Sequence, residues 1–207
     1  MFTESQLELI VDALSETGYC VLHEGVSSSL STALLESALE RKDFRAAGVG
    51  RNEGRVLDAK VRGDELVWID GDNESELAWI DMMSAVQQYL NRTLYLGLFS
   101  FESHFAHYVP GAYYEKHRDA FKGQSNRVVS CVTYLNSEWR DSWGGELVIY
   151  SDDGNTLIKV LPERGTVVLF LSEEFPHEVL PATEDRYSIA GWFRVNGSQH
   201  RKVDPSR

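Results

Sequence analysis

The sequence lacks the features that would place the protein in a membrane or outside the cell. Its 207 residues contain no apolar run of membrane-spanning length, and the N-terminal stretch carries Glu4, Glu8 and Asp12 where a secretory leader would be basic and then apolar. The only two cysteines, Cys20 and Cys131, lie far apart in apolar runs, which favours reduced core thiols over a disulfide. We therefore expect a cytoplasmic protein.

Positive charge is also scarce. Lys and Arg number 20 against 32 Asp and Glu, which gives a net charge of −12. Binding to a phosphate backbone needs clustered Lys and Arg, so this balance argues against a nucleic-acid partner. One segment, from Arg41 to Arg62, is locally basic and rich in glycine. It is either a solvated loop or a mobile basic flap over a site, suited to an acidic protein partner.

The chain has helical periodicity first and β-rich runs afterwards. Thr3 and Gln6 have capping-box spacing at the start of an amphipathic helix that covers the first 16 residues. A strand is predicted at 18–24, a second helix from Ser28 to about Asp43, and a third helix that starts at Asn73 and buries Leu77, Ile80, Met83, Val86 and Leu90. From residue 93 onward, short apolar runs are separated by Gly, Pro, Asn and Asp.

This order of elements predicts an α+β fold. We expect a double-stranded β-helix, or jelly roll, of about eight strands with the N-terminal helices packed on one face. The length suits a single domain with a sizeable core. We assign residues 1–195 to this domain, with 1–92 as a helical support region and 93–195 as the jelly-roll core, and expect 196–207 to be a loose polar tail.

Within the β-rich half, one group of residues predicts a metal site. Side chains alternate along a strand, so His117 and Asp119 should point the same way and hold one ion. Together with His177 they supply two imidazoles and one carboxylate, the facial triad that binds non-haem Fe(II) and leaves three positions open. Arg186 provides a planar fork suited to a carboxylate.

Each of these residues has an ordinary alternative. A His-x-Asp pair occurs by chance in many chains, His177 could be a core or surface histidine, and Arg186 could be an ion-pair partner. Their setting favours a site, because they lie at or beside predicted strands at 113–117, 166–171 and 186–193. The turn-rich residues 181–185 further predict a hairpin that places His177 and Arg186 on adjacent antiparallel strands.

A set of short motifs occurs around these residues. They are YVPG at 108–111, HRD at 117–119, VTYLN at 132–136, GGEL at 144–147, PHEV at 176–179 and RYSI at 186–189, with VRGDELVWI upstream at 61–69. Together they resemble the Fe(II)/2-oxoglutarate-dependent prolyl hydroxylases, which include the oxygen-sensing enzymes and their bacterial relatives. The resemblance runs from roughly residue 60 to 195 and more loosely to the N-terminus.

The resemblance implies the cofactors and the residues that hold them. His117, Asp119 and His177 would bind Fe(II), with 2-oxoglutarate and O2 as co-substrates and ascorbate as a candidate reductant. Arg186 would pair with the far carboxylate of 2-oxoglutarate, joined by the hydroxyl of Tyr134. Tyr108 and Tyr134 would therefore be co-substrate residues, Tyr108 lying near the metal. From the residues alone, Tyr134 is also readable as an ordinary core side chain.

The same resemblance implies a substrate-binding region. Tyr114, Arg127 and Trp192 match positions that line the prolyl pocket, and Arg62 and Asp64 match an Arg-Gly-Asp element near the substrate entrance. Two alternatives stay open from the residues alone. Arg62 could be merely solvated, and Asp64 could simply form an ion pair with Arg127.

The implied reaction is 4-hydroxylation of a prolyl residue in a protein, with release of succinate and CO2. The chain lacks the extended C-terminal helix of the animal oxygen sensors and looks more like the short bacterial members, which makes elongation factor Tu the candidate partner. One alternative is an oxygenase acting on a free amino acid or other small molecule, and another is a non-catalytic metal-binding jelly roll. Arg186 with Tyr134 argues against the last, because a binding module needs no receptor for a carboxylate.

Overall fold

The structure is a computed structural model that describes residues 1–47, 62–120 and 125–197. Most of the predicted basic flap, including Arg51, Arg55 and Lys60, and residues 198–207 of the predicted tail lie outside these ranges. The described helices are α1 (Glu4–Glu16), α2 (Ser28–Glu40) and α3 (Glu74–Leu94). The described strands are β1 (Tyr19–Leu22), β2 (Arg45–Ala46), β3 (Glu65–Trp68), β4 (Leu98–Tyr108), β5 (Tyr114–His117), β6 (Arg127–Tyr134), β7 (Leu147–Tyr150), β8 (Thr156–Val160), β9 (Val167–Leu171), β10 (His177–Val179) and β11 (Arg186–Val195).

The strands form two antiparallel sheets. The major sheet has seven strands in the order β1-β9-β6-β11-β4-β3-β2, and the minor sheet has four in the order β5-β10-β7-β8. Apolar side chains from both sheets meet in one cluster, which includes Ala106, Val168, Leu147 and Val179. The strands that follow residue 93 build the predicted jelly roll, and β1, β2 and β3 extend its major sheet at both edges.

The helices pack on the other face of the major sheet. At the start of α1 the Thr3 side chain accepts a hydrogen bond from the Gln6 backbone, and the Gln6 side chain accepts one from the Thr3 backbone, as the capping-box spacing predicted. The buried faces of the three helices join the major sheet in a large apolar cluster that includes Ile10, Leu34, Trp79, Met83, Phe105, Leu169 and Phe193. None of the described helices has the length and apolar character needed to cross a membrane.

The predicted buried face of α3 was partly wrong. Leu77 is 52% exposed, whereas Trp79 and Met82 are buried. The phase of the helix is set at its start, where Asn73 caps the backbone of Glu76 and the buried Glu76 carboxylate accepts hydrogen bonds from the backbone N–H groups of Gly71 and Asp72. Apolar residues occur on two sides of this helix, so periodicity alone allowed either face.

The predicted hairpin between His177 and Arg186 is also wrong. β10 pairs with β5 and β7 in the minor sheet, whereas β11 pairs with β4 and β6 in the major sheet. The link at 180–185 therefore crosses from one sheet to the other. A short, turn-rich link looks the same in sequence whether it closes a hairpin or changes sheets. As a result, His177 and Arg186 reach the space between the sheets from opposite walls.

Candidate active site

A cavity opens between the two sheets, and it gathers most of the predicted site residues. Its lining includes Arg62, Tyr108, Tyr114, His117, Asp119, Arg127, His177, Arg186 and Trp192. The other two predicted residues lie directly behind this lining. Asp64 is bonded to Arg62, and the ring centre of Tyr134 lies 5.0 Å from the Arg186 guanidinium carbon. Residues that are far apart in sequence are therefore brought together as predicted.

His117, Asp119 and His177 form a compact group of potential metal ligands. One ligand atom from each lies within 4.8 Å of the others. Nε2 of His117 is 3.7 Å from Oδ1 of Asp119, and Nε2 of His177 is 3.7 Å from Oδ2. The histidines are direct cross-strand partners on β5 and β10. β5 ends at His117, so the bend that follows, and not strand alternation, places Asp119.

The two imidazoles are held in the orientation that a metal requires. Nδ1 of His117 lies 2.7 Å from the carbonyl of Glu115, and Nδ1 of His177 lies 3.1 Å from that of Phe175. Donation from Nδ1 leaves the Nε2 lone pair directed at Asp119. Burial lowers the pKa of His177 to about 4, so the ring is neutral near pH 7. The donor set therefore fits Fe(II).

Arg186 and Tyr134 form a polar end to the cavity. The Arg186 side chain is 1% exposed; its Nε donates to the carbonyl of Gly145 at 2.9 Å and its Nη1 to the hydroxyl of Ser188 at 3.3 Å. Its Nη2 and the Tyr134 hydroxyl have no hydrogen-bond partner of acceptable geometry among the described residues. Burial raises the pKa of Tyr134 to about 12, so its hydroxyl remains a donor. A buried guanidinium without a carboxylate is costly, and these two donors fit the far carboxylate of 2-oxoglutarate.

Comparisons with known proteins agree with this geometry. Residues 103–194 match the family described as the 2OG-Fe(II) oxygenase superfamily. The human prolyl hydroxylase EGLN3 is 28% identical, over 90% of this chain and 82% of its own. A crystal structure of a Pseudomonas putida prolyl-4-hydroxylase is 37% identical with a TM-score of 0.83, covering 92% of this chain and 100% of that one. This chain belongs to the prolyl hydroxylases.

A further relative bears on the kind of substrate. The prolyl hydroxylase of Trichoplax adhaerens, solved with a peptide fragment of the hypoxia inducible factor oxygen degradation domain, is 26% identical with a TM-score of 0.81. The match covers 92% of this chain and 90% of that one. The present prolyl hydroxylase is accordingly an oxidoreductase that uses Fe(II), 2-oxoglutarate and O2.

Two arginine–aromatic stacks line the cavity of this prolyl hydroxylase. Arg62 donates to both carboxylate oxygens of Asp64, at 2.6 and 2.9 Å, and lies 4.6 Å from the ring centre of Tyr114. Arg62 is therefore fixed and not merely solvated. Arg127 lies 3.5 Å from the ring centre of Trp192. The suggested Asp64–Arg127 ion pair is wrong, because each residue pairs with a closer partner.

The partner of Arg127 is a carboxylate that the sequence did not reveal. Glu102 accepts hydrogen bonds from Arg127 at 3.1 Å and from Arg194 at 2.8 Å. These residues come from three adjacent strands of the major sheet, which only the tertiary register brings together. His104, on the same face of β4, contacts Trp68 and Trp192, and its ring nitrogens have no hydrogen-bond partner among the described residues.

Gly145 lies between the Arg186 side chain and the residues Trp139 and Ala182. Its φ is +76°, and an added Cβ would lie 2.9 Å from Cβ of Ala182, 3.1 Å from the Trp139 ring and 3.4 Å from Cδ of Arg186. Its carbonyl also accepts the Arg186 Nε hydrogen bond. A side chain at this position would therefore press against Ala182 and Trp139 and shift the Gly145 backbone, whose carbonyl holds Arg186.

We expect Gly145→Ala to weaken 2-oxoglutarate binding by about tenfold, the equivalent of losing one modest hydrogen bond. Gly154→Ala is the matched control, since its φ is +86° but an added Cβ would meet nothing within 4 Å. Both variants carry the left-handed strain of about 1–2 kcal/mol, so only the contacts differ. Calorimetric titration of 2-oxoglutarate into both variants checks this. Equal affinities would show that the packing around Gly145 does not position Arg186.

Proposed function

We propose that this protein is a prolyl 4-hydroxylase that modifies a prolyl residue of a protein and converts 2-oxoglutarate to succinate and CO2. The observation that supports this most directly is the pairing of a three-ligand metal site with a buried carboxylate receptor in one cavity. A non-catalytic metal-binding module would not need Arg186 buried with an Nη2 that has no hydrogen-bond partner among the described residues. His117, Asp119 and His177 would hold the iron, and Arg186 with Tyr134 would hold the far carboxylate of 2-oxoglutarate.

Bound Fe(II) with 2-oxoglutarate supplies the oxidation of an unactivated C–H bond by O2, and the protein positions the reactants. Arg186 and Tyr134 fix one end of the co-substrate, which orients its other end toward the metal ligands. Tyr108 borders the same end, with its ring centre 4.9 Å from the Arg186 guanidinium carbon. Burial raises the pKa of Tyr108, so its phenol stays neutral beside the anion.

The substrate side would bind a prolyl ring among flat, rigid groups. Tyr114 stacks on His117 with ring centres 3.6 Å apart, and Trp192 lies under Arg127. Arg62 and Asp64 border the same region through the contact of Arg62 with Tyr114. An apolar pyrrolidine ring suits such walls, and the peptide on either side could meet the charged groups at the rim. Ascorbate would act from solution by keeping the iron reduced.

Elongation factor Tu is our candidate substrate. The support is the resemblance to short bacterial prolyl hydroxylases, together with the 37% identity to the Pseudomonas putida prolyl-4-hydroxylase over the full length of that chain. Such a partner would place the enzyme in the cytoplasm. The net charge of −12 argues against a nucleic-acid substrate.

The test is to incubate the enzyme with Fe(II), 2-oxoglutarate, ascorbate and purified elongation factor Tu, and to map modified peptides by mass spectrometry. We expect a gain of one oxygen atom on a single proline, absent with the Arg186→Ala enzyme and absent when that proline is replaced by alanine. Free proline is tested in parallel. Oxidation of free proline with none on the protein would favour the small-molecule alternative and overturn the proposal.

A further inference from the structure

A chain of hydrogen bonds leads from the Asp119 carboxylate into the major sheet. The hydroxyl of Ser130 donates to Oδ2 of Asp119 at 2.6 Å and lies 2.9 Å from the hydroxyl of Ser172. Both serines are buried, at 1% and 0% exposure. Since the Ser130 hydrogen is committed to the carboxylate, Ser172 must be the donor to Ser130. The hydrogen bonds therefore run in one direction and strengthen each other.

The position of Asp119 explains why such support is needed. The other two members of the triad lie on paired strands, β5 and β10, whose ladder fixes their backbones. Asp119 lies in the bend after β5, outside the ladder. Ser130 is on β6, between β9 and β11 in the middle of the major sheet, and Ser172 directly follows β9. The two serines thus connect Asp119, which lies beyond the end of β5 in the minor sheet, to the rigid backbone of the major sheet.

We propose that Ser130, supported by Ser172, is a positioning residue that holds Asp119 ready to bind the metal through one carboxylate oxygen. This inference rests on the proposed function. A carboxylate with one oxygen engaged by a hydroxyl is discouraged from chelating through both. A single carboxylate ligand keeps three coordination positions open for the co-substrate and O2. Partners that orient a metal ligand typically contribute about ten- to a hundredfold to metal affinity.

The experiment measures binding of Mn(II) alone to the metal-free protein, by the electron paramagnetic resonance signal of free Mn(II). Ser130→Ala is expected to raise the Kd for Mn(II) about ten- to a hundredfold, and Ser172→Ala is expected to raise it by a smaller factor. Ser130→Thr keeps the hydroxyl and is expected to bind nearly as the wild type does. Ser188→Ala is the matched control, because it removes another buried hydroxyl of the cavity that contacts Arg186 instead of Asp119.

Thermal unfolding of the metal-free variants separates positioning from a structural role. A serine that only stabilises the fold would lower the unfolding temperature of Ser130→Ala and leave the Mn(II) Kd at the level of Ser188→Ala, which overturns the inference. If Ser130→Ala does not fold, Ser172→Ala decides, and an unchanged Kd there overturns it equally. Asp119→Ala tests the proposed function itself. Undiminished Mn(II) binding in Asp119→Ala would reject the triad, whereas lost binding there with a normal Ser130→Ala would reject only the role of Ser130.

Discussion

Replacing His177 with alanine is expected to abolish 2-oxoglutarate turnover and to leave the protein folded. The substitution removes one of three metal ligands, and the remaining imidazole and carboxylate cannot hold the ion in the same geometry. The fold should survive because the large apolar cluster between the helices and the major sheet contains none of the triad. Succinate production measures the first effect, and circular dichroism with thermal unfolding measures the second.

His107→Ala is the control for this variant. His107 is a partly buried histidine on β4 of the major sheet, where it stacks on Tyr187 and bonds to Asp185 at 2.7 Å, outside the triad. We expect that variant to keep its turnover. Full succinate production by His177→Ala would reject the metal-ligand assignment.

The second large effect is expected from Arg186→Lys. Lysine keeps the positive charge but loses the planar fork, so it cannot donate to Gly145 and to a carboxylate in the same geometry. A charge-assisted hydrogen bond is worth about 1.5–3 kcal/mol, which corresponds to about ten- to a hundredfold weaker binding of 2-oxoglutarate. Calorimetric titration in the presence of Mn(II) gives the Kd directly, without dependence on turnover.

Arg194→Lys provides the comparison, because Arg194 is a buried arginine of the same strand whose partner is Glu102. It should change stability but leave the affinity for 2-oxoglutarate unaltered. If Arg186→Lys and Arg194→Lys bind 2-oxoglutarate equally well, the carboxylate receptor lies elsewhere in the cavity.

The candidate metal ligands of this site were easier to predict from the sequence than the residues that hold them in position. Ligand residues belong to a few chemical types, and His117, Asp119 and His177 could be recognised from type and spacing. A bend, and not strand alternation, places Asp119 beside the two histidines. The predicted grouping of the three residues was therefore right, but the structural reason given for it was wrong. Ser130 had no signal, because a serine in an apolar strand has no spacing that marks it as the partner of a distant carboxylate.

Long-range pairing accounts for what the sequence could not give. Periodicity indicates which side chains share a face, but it does not determine which strand lies alongside. The predicted hairpin at 181–185 failed for this reason, as did the expected partner of Asp64. Glu102 was overlooked because Arg127 reaches it only through the register of β4, β11 and β6.

The separation of the two apolar clusters has an evolutionary consequence. Most of the large side chains that hold the helices to the major sheet lie on one face, and the residues that line the cavity lie on the other. Substitutions on the cavity face, at a position such as the half-buried Ala190, can therefore alter what fits in the cavity and leave the scaffold intact. A protein tolerates mutations only within a narrow margin of stability. Here the large apolar cluster between the helices and the major sheet lies largely apart from the cavity. The cavity of such a chain can therefore change by mutation while its helices and outer face keep it folded.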